Sequence, residues 1–288
     1  MMTRRALQQI RSGSVGYNAS TMTGEGWVPS IAIIGGTGPQ GRGLALRLAA
    51  AGLDVTIGSR DAARAETVAA ELADRLREAR GTAGKARGAD EAIAADGVAG
   101  GRSGARHASQ TGPALGTITG SSNLAAAQSC REAVLAVPYP AQSGTLDALA
   151  EALAGKVLVT AVAPVLPGQP GVVRLPGLGS AAAEAQAQLG SATPIATAFQ
   201  NVAAGKLQDL RVDIDCDVLV CADDDRARDV ALRLASACGA RGLVAGPLAN
   251  AGVVEGLTSI LIGLNVRHRA RGTGVRITNL PDDRTSGA

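Results

Sequence analysis

A short apolar run that ends on closely spaced glycines and opens into a helical pattern constrains this 288-residue chain more than any other feature. Ser30 to Gly36 reads as a buried strand, and Gly38 to Ala51 places Leu44 and Leu48 at helical spacing among small residues. Between them lies Gly36-Thr37-Gly38-Pro39-Gln40-Gly41, with glycines at the spacing of a dinucleotide-binding turn. The first glycine permits the tight turn, the second lets backbone approach a pyrophosphate, and the third lets the helix pack on the strand. Free backbone N–H groups and the positive helix end then face the anion. In a chain with 38 glycines the spacing alone says little; its place between strand and helix gives it meaning.

Asp54 to Arg60 is a second strand, and Asp61 is placed to cap an alanine-rich helix running to about Arg77. An NAD-binding chain carries Asp or Glu at the end of this strand to bond the ribose 2′-hydroxyl. Here the residues are Gly58-Ser59-Arg60, with Arg64 one helical turn further on. A hydroxyl and two guanidinium groups suit a 2′-phosphate, and cations at a helix N-terminus oppose its dipole unless an anion joins them. NADP(H) is therefore the expected dinucleotide, with its extra phosphate on Ser59, Arg60 and Arg64.

Strand and helix patterns then alternate, which predicts an α/β fold with a doubly wound Rossmann-type parallel sheet and a small C-terminal α+β domain. Residues 1–27 read as a polar, flexible tail, and residues 28–200 as the NADP-binding domain. Within it a Gly/Ala- and charge-rich insertion at about 80–115 is expected to be flexible. Residues 201–282 form the smaller domain, with strands at Asp217 to Ala222 and Val275 to Leu280 and helices at Asp225 to Cys238 and Asn250 to about His268. Aromatics make up only 1% of the chain, so the core is expected to be aliphatic.

A net charge of +3 favours small phosphorylated ligands over nucleic acid. Cys130, Cys216, Cys221 and Cys238 have no metal-type spacing and read as thiols of a reducing cytoplasm. No signal-peptide core follows Met-Met-Thr-Arg-Arg and no segment is expected to span a membrane. Of the two histidines, His107 lies in the insertion and His268 ends a helix between arginines. Asp223-Asp224-Asp225 reads as a helix cap, so neither a metal site nor a catalytic acid–base residue is assigned. A reductase lacking such a residue suits a hydride acceptor that stabilises charge by itself. Tyr139 and Phe199 fall near carboxyl ends of strands, where such a fold places its ligand, although core packing is the commoner fate for Phe199. Val253, Val254, Leu257, Ile260, Leu261 and Leu264 make one apolar helix face, read as a homodimer contact or as burial within its own domain.

Several stretches together resemble the NADPH-dependent reductases of the deazaflavin coenzyme F420. They are Ile34 to Gly38 with the helix through Leu48, Gly58-Ser59-Arg60, Ile118-Thr119-Gly120 and Ala133 to Pro138. Further on come Cys221 to Asp225, Ala245-Gly246-Pro247-Leu248 with Asn250, and Glu255-Gly256-Leu257-Thr258. The resemblance implies hydride transfer between NADPH and coenzyme F420. By it, Thr37 to Gln40 line the pyrophosphate, Val137, Pro138 and Tyr139 the nicotinamide side, and Ala204 closes over NADP. The deazaflavin is implied to lie between Gln200, Asn201 and Val202 and the loop carrying Leu248 and Asn250. Some members carry histidine where Gln200 stands, and the tail and insertion lie outside the pattern. Two other readings share the NADP half: a carbonyl or imine reductase using Tyr139 or Asn250 as proton donor, and a non-catalytic NADP-binding protein. In the latter, Arg267, Arg269, Arg271 and Arg276 would meet a partner or nucleic acid.

Overall fold

The computed structural model describes residues 30–95, 114–166 and 168–280, with the side chains of 82–95 left out. The tail at 1–27, His107 and most of the expected insertion lie outside the described residues. Eight strands form one sheet: β1 (Ser30–Ile34), β2 (Asp54–Ser59), β3 (Ile118–Ser122), β4 (Glu132–Leu135), β5 (Val157–Thr160), β6 (Ile195–Thr197), β7 (Asp217–Ala222) and β8 (Arg241–Gly246). Their order is β3-β2-β1-β4-β5-β6-β7-β8, and every pair is parallel except β6 with β7. The α/β, Rossmann-type class expected from the alternation is the one observed.

Alternation along each strand sends side chains to two cores. Ile31, Ile33, Val55 and Ile57 face α1 (Pro39–Ala50), α2 (Ala62–Ala95) and α7 (Asp225–Ala237), which contribute Leu44, Leu48, Leu72, Val230 and Leu234. Ala32, Ile34 and Leu135 face the other way, toward α3 (Asn123–Ser129), α4 (Gln142–Leu153), α5 (Ala181–Leu189) and α8 (Ala251–His268). The buried residues of both cores are aliphatic apart from four cysteines and Phe199, the one phenylalanine, which is fully buried in the first.

Four differences from the expected elements have physical reasons. First, α2 runs on to Ala95 rather than ending near Arg77: the alanines, glutamates, lysine and arginines after Arg77 favour helix without an apolar period and outweigh Gly81, Gly84 and Gly88. Second, the strand that the sequence pattern predicts over Thr193 to Phe199 stops at Thr197: Phe199 has φ of 73°, a left-handed conformation that turns the chain out of the strand. Third, Val275 to Leu280 is not a strand. It lies beside β7 through one backbone bond, from Asp217 N to the Val275 carbonyl, and through the Ile277 N–H donated to the Asp217 carboxylate. Fourth, β8 was not anticipated, since Arg-Gly-Leu-Val-Ala-Gly is diluted by glycines; it follows β7 and α7 as a further β-α-β unit. The strands of the expected C-terminal unit thus extend the same sheet.

The Asp triplet behaves as a cap: Asp224 Oδ1 accepts the Ala227 N–H at 2.9 Å, and Asp223 accepts the Leu248 N–H at 3.0 Å. Against expectation, one stretch among the described residues, Leu248–His268, is long and apolar enough by length and composition to cross a membrane. It buries Glu255 and Ser259 and packs on α5, the behaviour of a core helix.

Candidate functional site

The glycine turn leaves β1 where β2 and β4 end beside it. Gly35 takes φ of 75°, and a Cβ there would come within 2.6 Å of Val137 Cγ1, so Val137 packs directly on the turn. The Gly36 N–H is held by the carbonyls of Ile33 and Gly58, and the Gly35 N–H by Asn123 Oδ1 at 3.2 Å. A Cβ on Gly41 would lie 2.6 Å from Gly36 Cα, which is the close helix-on-turn approach the third glycine exists to allow.

The start of α1 suits an anion. Gly38 offers no capping side chain, Pro39 has no N–H to satisfy, and the first turn has no acidic residue. Among the described residues the N–H groups of Thr37, Gln40 and Gly41 have no hydrogen-bond partner. These are the free donors that a pyrophosphate would take.

At the end of β2, Ser59 is nearly buried and its Oγ accepts the Asp61 N–H at 3.2 Å, which leaves the hydroxyl proton free to donate. Asp61 caps α2 by accepting the Arg64 N–H at 3.1 Å. Arg60 and Arg64 are exposed, and among the described residues neither side chain has an ion pair or hydrogen bond. Arg42 nearby is instead paired with Glu71 at 3.0 Å. Two exposed arginines therefore stand at the end of β2 and the start of α2, next to the strand that holds the glycine turn through the Gly36 N–H to Gly58 carbonyl bond. That arrangement fits a phosphate on the ribose.

A second feature lies beyond β6. Gln200, Asn201, Val202 and Ala204 line a cavity of about 190 Å³ together with Thr258 and Asn265 of α8. Ala204 opens a short helix, α6 (Ala204–Gln208). The Gln200 amide donates to the Thr160 carbonyl at 2.8 Å and to Thr197 Oγ1, and its buried Oε1 is left without a partner. Asn201 donates to the Asp217 carbonyl at 2.7 Å, and its Oδ1 is likewise unpartnered.

Comparison with known proteins gives the family of the chain. A family described as NADP oxidoreductase coenzyme F420-dependent matches residues 30–96. An F420-dependent NADP reductase of Methanothermobacter marburgensis is 38% identical over 262 residues, 88% of this chain and 99% of the relative. Another, from Methanocaldococcus jannaschii, is 36% identical over 254 residues, 87% of this chain and 98% of the relative. The chain belongs to the F420-dependent NADP reductases.

The fold agrees with that of solved proteins at lower identity. A putative F420 dependent NADP-reductase from Arthrobacter sp. FB24 superposes with a TM-score of 0.62 at 21% identity, covering 86% of this chain and 99% of that one. A hypothetical protein from Sinorhizobium meliloti gives 0.54 at 16% identity, covering 81% and 91%.

In this member of the family the remaining candidate residues are dispersed. Pro138 is exposed beside Val137, and Tyr139 is half-buried with its hydroxyl donated to Glu184 at 2.9 Å. Burial first, and then the bond to Glu184, push the phenol up to about 12. Leu248 is buried in the second core, and Asn250 turns its amide back onto the Ala245 carbonyl; neither lines the cavity. His268 is exposed at the end of α8. Asn123, Thr258, Asn265 and Thr273 were given no role from sequence. The local signal for the α8 pair was a polar residue on an otherwise apolar helix.

Glu255 is the buried acid of this region. It is 1% exposed and caps α5 across the helix pair, accepting the N–H groups of Ala181 at 2.7 Å and Ala182 at 2.9 Å. Burial outweighs those two bonds and pushes its carboxyl up to about 7. The folded state therefore holds a proton that the unfolded chain releases at its ordinary value, about 4.3. The stabilisation is fully present below that value and is lost as pH rises through about 7. Thermal melts from pH 5 to 8 are expected to fall with rising pH in the native chain and to flatten in Glu255→Gln. Equal slopes in both would contradict the assignment.

Proposed function

We propose that this protein transfers a hydride between NADPH and the deazaflavin coenzyme F420. The observation that carries the reading is the alignment of almost the whole length of F420-dependent NADP reductases at 36 to 38% identity. When bound, the two cofactors supply the redox chemistry. The residues of the chain bind and orient them, and no protein acid or base is required.

We assign the pyrophosphate to Gly36, Thr37, Gly38, Pro39, Gln40 and Gly41, where three N–H donors stand free at an uncapped helix start. The 2′-phosphate goes to Ser59, Arg60 and Arg64, and the nicotinamide side to Val137, Pro138 and Tyr139. The deazaflavin goes against Gln200, Asn201 and Val202, with Ala204 at the boundary between the cofactors. The cavity lined by Gln200, Asn201, Val202 and Ala204 supports this part of the assignment. Leu248 and Asn250 remain in the assignment through the resemblance alone.

The carbonyl or imine reductase reading is weaker because both of its proton donors are engaged. Tyr139 gives its hydroxyl proton to Glu184 and Asn250 its amide to Ala245. Mixing protein, NADPH and oxidised F420 is expected to bleach the visible absorbance of the deazaflavin. Retained absorbance from a preparation that binds NADPH refutes the proposal.

We also propose a homodimer in the cytoplasm. The apolar face of α8 is divided: Val254 and Leu261 are buried in the chain's own structure, while Val253, Ile260 and Leu264 remain exposed and suit a second copy. Four free, buried cysteines fit a reducing compartment. Light scattering at the mass of one chain would refute the dimer.

A further inference from the structure

One side chain joins the dinucleotide turn to the Phe199 corner that precedes the cavity. Gln40, in the first turn of α1, reaches across the fold and donates its Nε2 to the Phe199 carbonyl at 3.0 Å. That carbonyl belongs to the fully buried Phe199 with φ of 73°. A bulky L-residue in the left-handed region is strained, and it stays there only where its surroundings fix it.

The fixing bonds can be enumerated. The Phe199 carbonyl also accepts the Val202 N–H at 3.1 Å, and the Gln200 carbonyl accepts Thr258 Oγ1 at 2.8 Å. The Gln200 side chain is tied to Thr160 and Thr197. All of these except one come from residues beside the cavity or from the strands beneath it. The exception is Gln40, whose backbone N–H is one of the free donors at the start of α1.

We propose that Gln40 is a positioning residue for the second cofactor: by holding the strained Phe199 turn, it makes occupancy of the glycine turn and occupancy of the cavity favour one another. The inference rests on the assignment of NADP to the turn and F420 to the cavity. Its physical basis is a turn with two arrangements, the strained one seen here and a relaxed one in which the Phe199 carbonyl leaves Gln40. An anion on the Gln40 N–H fixes the start of α1 and thereby the side-chain donor. Gln200 and Asn201 then keep the orientation that lines the cavity. A link of this kind is reciprocal, so each ligand tightens the other by the same factor.

The test titrates NADP⁺ alone, oxidised F420 alone, and each in the presence of the other, in the native chain and in two variants. Gln40→Met keeps side-chain length and removes the donor. Gln40→Glu has no donor when ionised and regains one when protonated. In the native chain each ligand is expected to tighten the other by about fivefold or more. In Gln40→Met the factor falls toward one at every pH, while in Gln40→Glu it returns only as the pH is lowered toward about 4, below the ordinary carboxylate value. Far-ultraviolet circular dichroism confirms that each variant is folded, and a variant that unfolds is replaced by Gln40→Leu. Mutual tightening that is unchanged in folded Gln40→Met overturns the inference, as does native protein that binds both ligands with no mutual effect. Native protein that binds neither overturns the functional reading itself.

Discussion

Arg60→Ala raises the Michaelis constant for NADPH about tenfold and leaves that for NADH within about twofold. A charge-assisted bond to phosphate is worth roughly 1.5–3 kcal/mol, and the exposure of Arg60 places it near the lower bound. At about 1.4 kcal/mol per factor of ten, that bound corresponds to the stated change. The loss falls on NADPH because only its ribose carries the phosphate that Ser59, Arg60 and Arg64 are placed to meet. The maximal rate is expected to change little, since the proposed assignment puts Arg60 at the adenosine end and not beside the reacting ring. Steady-state kinetics with the two dinucleotides checks this directly. Equal losses for both would mean that the arginines are solvated surface charges.

Gly41→Ala acts differently and more broadly. Its Cβ would sit 2.6 Å from Gly36 Cα and 3.0 Å from the Gly36 carbonyl carbon. Both are backbone atoms that no rotamer change can move aside. Overpacking of this kind costs about 1–3 kcal/mol, and here the strain falls on the turn itself. The turn and the start of α1 must separate, which pulls the free N–H donors out of register. NADPH and NADH affinities are therefore expected to fall together, by about tenfold or more, alongside a lowered melting temperature. Fluorescence titration of both dinucleotides with a thermal melt measures the two effects. Native affinity in a stable variant would contradict the role given to Gly41.

The contrast between these variants follows what was legible in the sequence. The turn was readable because parallel strands buried on both faces are continuous apolar runs, and Ser30 to Gly36 has that character. The Ser59-Arg60 corner was readable because charge at a helix start is a local signal. Other features escaped because their causes are not local. β8 contains two glycines and an alanine in six residues, and it is a strand because β7 pairs with it. The length of α2 comes from intrinsic preference without an apolar stripe. The early end of β6 depends on Phe199, whose left-handed backbone is held by Gln40 from 159 positions away. The cavity is built from residues 200–204 and from parts of 258–273, and only the fold brings them together. The family resemblance pointed to Gln200, Asn201 and Val202 on one side of that wall, whereas its other implied side, the loop carrying Leu248 and Asn250, does not line the cavity.

The link between the two cofactor places also explains why Gln40 has more to do than its neighbours on the turn. Thr37, Gln40 and Gly41 all offer backbone N–H groups, and Gln40 alone among them has a side-chain bond to the Phe199 corner that precedes the cavity. Arg47, further along α1, holds the same region from outside. Its guanidinium donates to the carbonyls of Lys206, Leu207 and Asp209 at 2.7, 3.2 and 2.6 Å. Helix α1, to which we assign the dinucleotide, is thus bound at both ends to the segment following β6.

The most direct measurement follows a label. NADPH carrying deuterium at the transferable position of the nicotinamide ring is mixed with the protein and oxidised F420 in ordinary water, and the reduced deazaflavin is weighed by mass spectrometry. Direct transfer between cofactors held face to face predicts reduced F420 heavier by about one deuterium. Reduced F420 without the label, or NADPH bound and F420 left oxidised, would contradict the account.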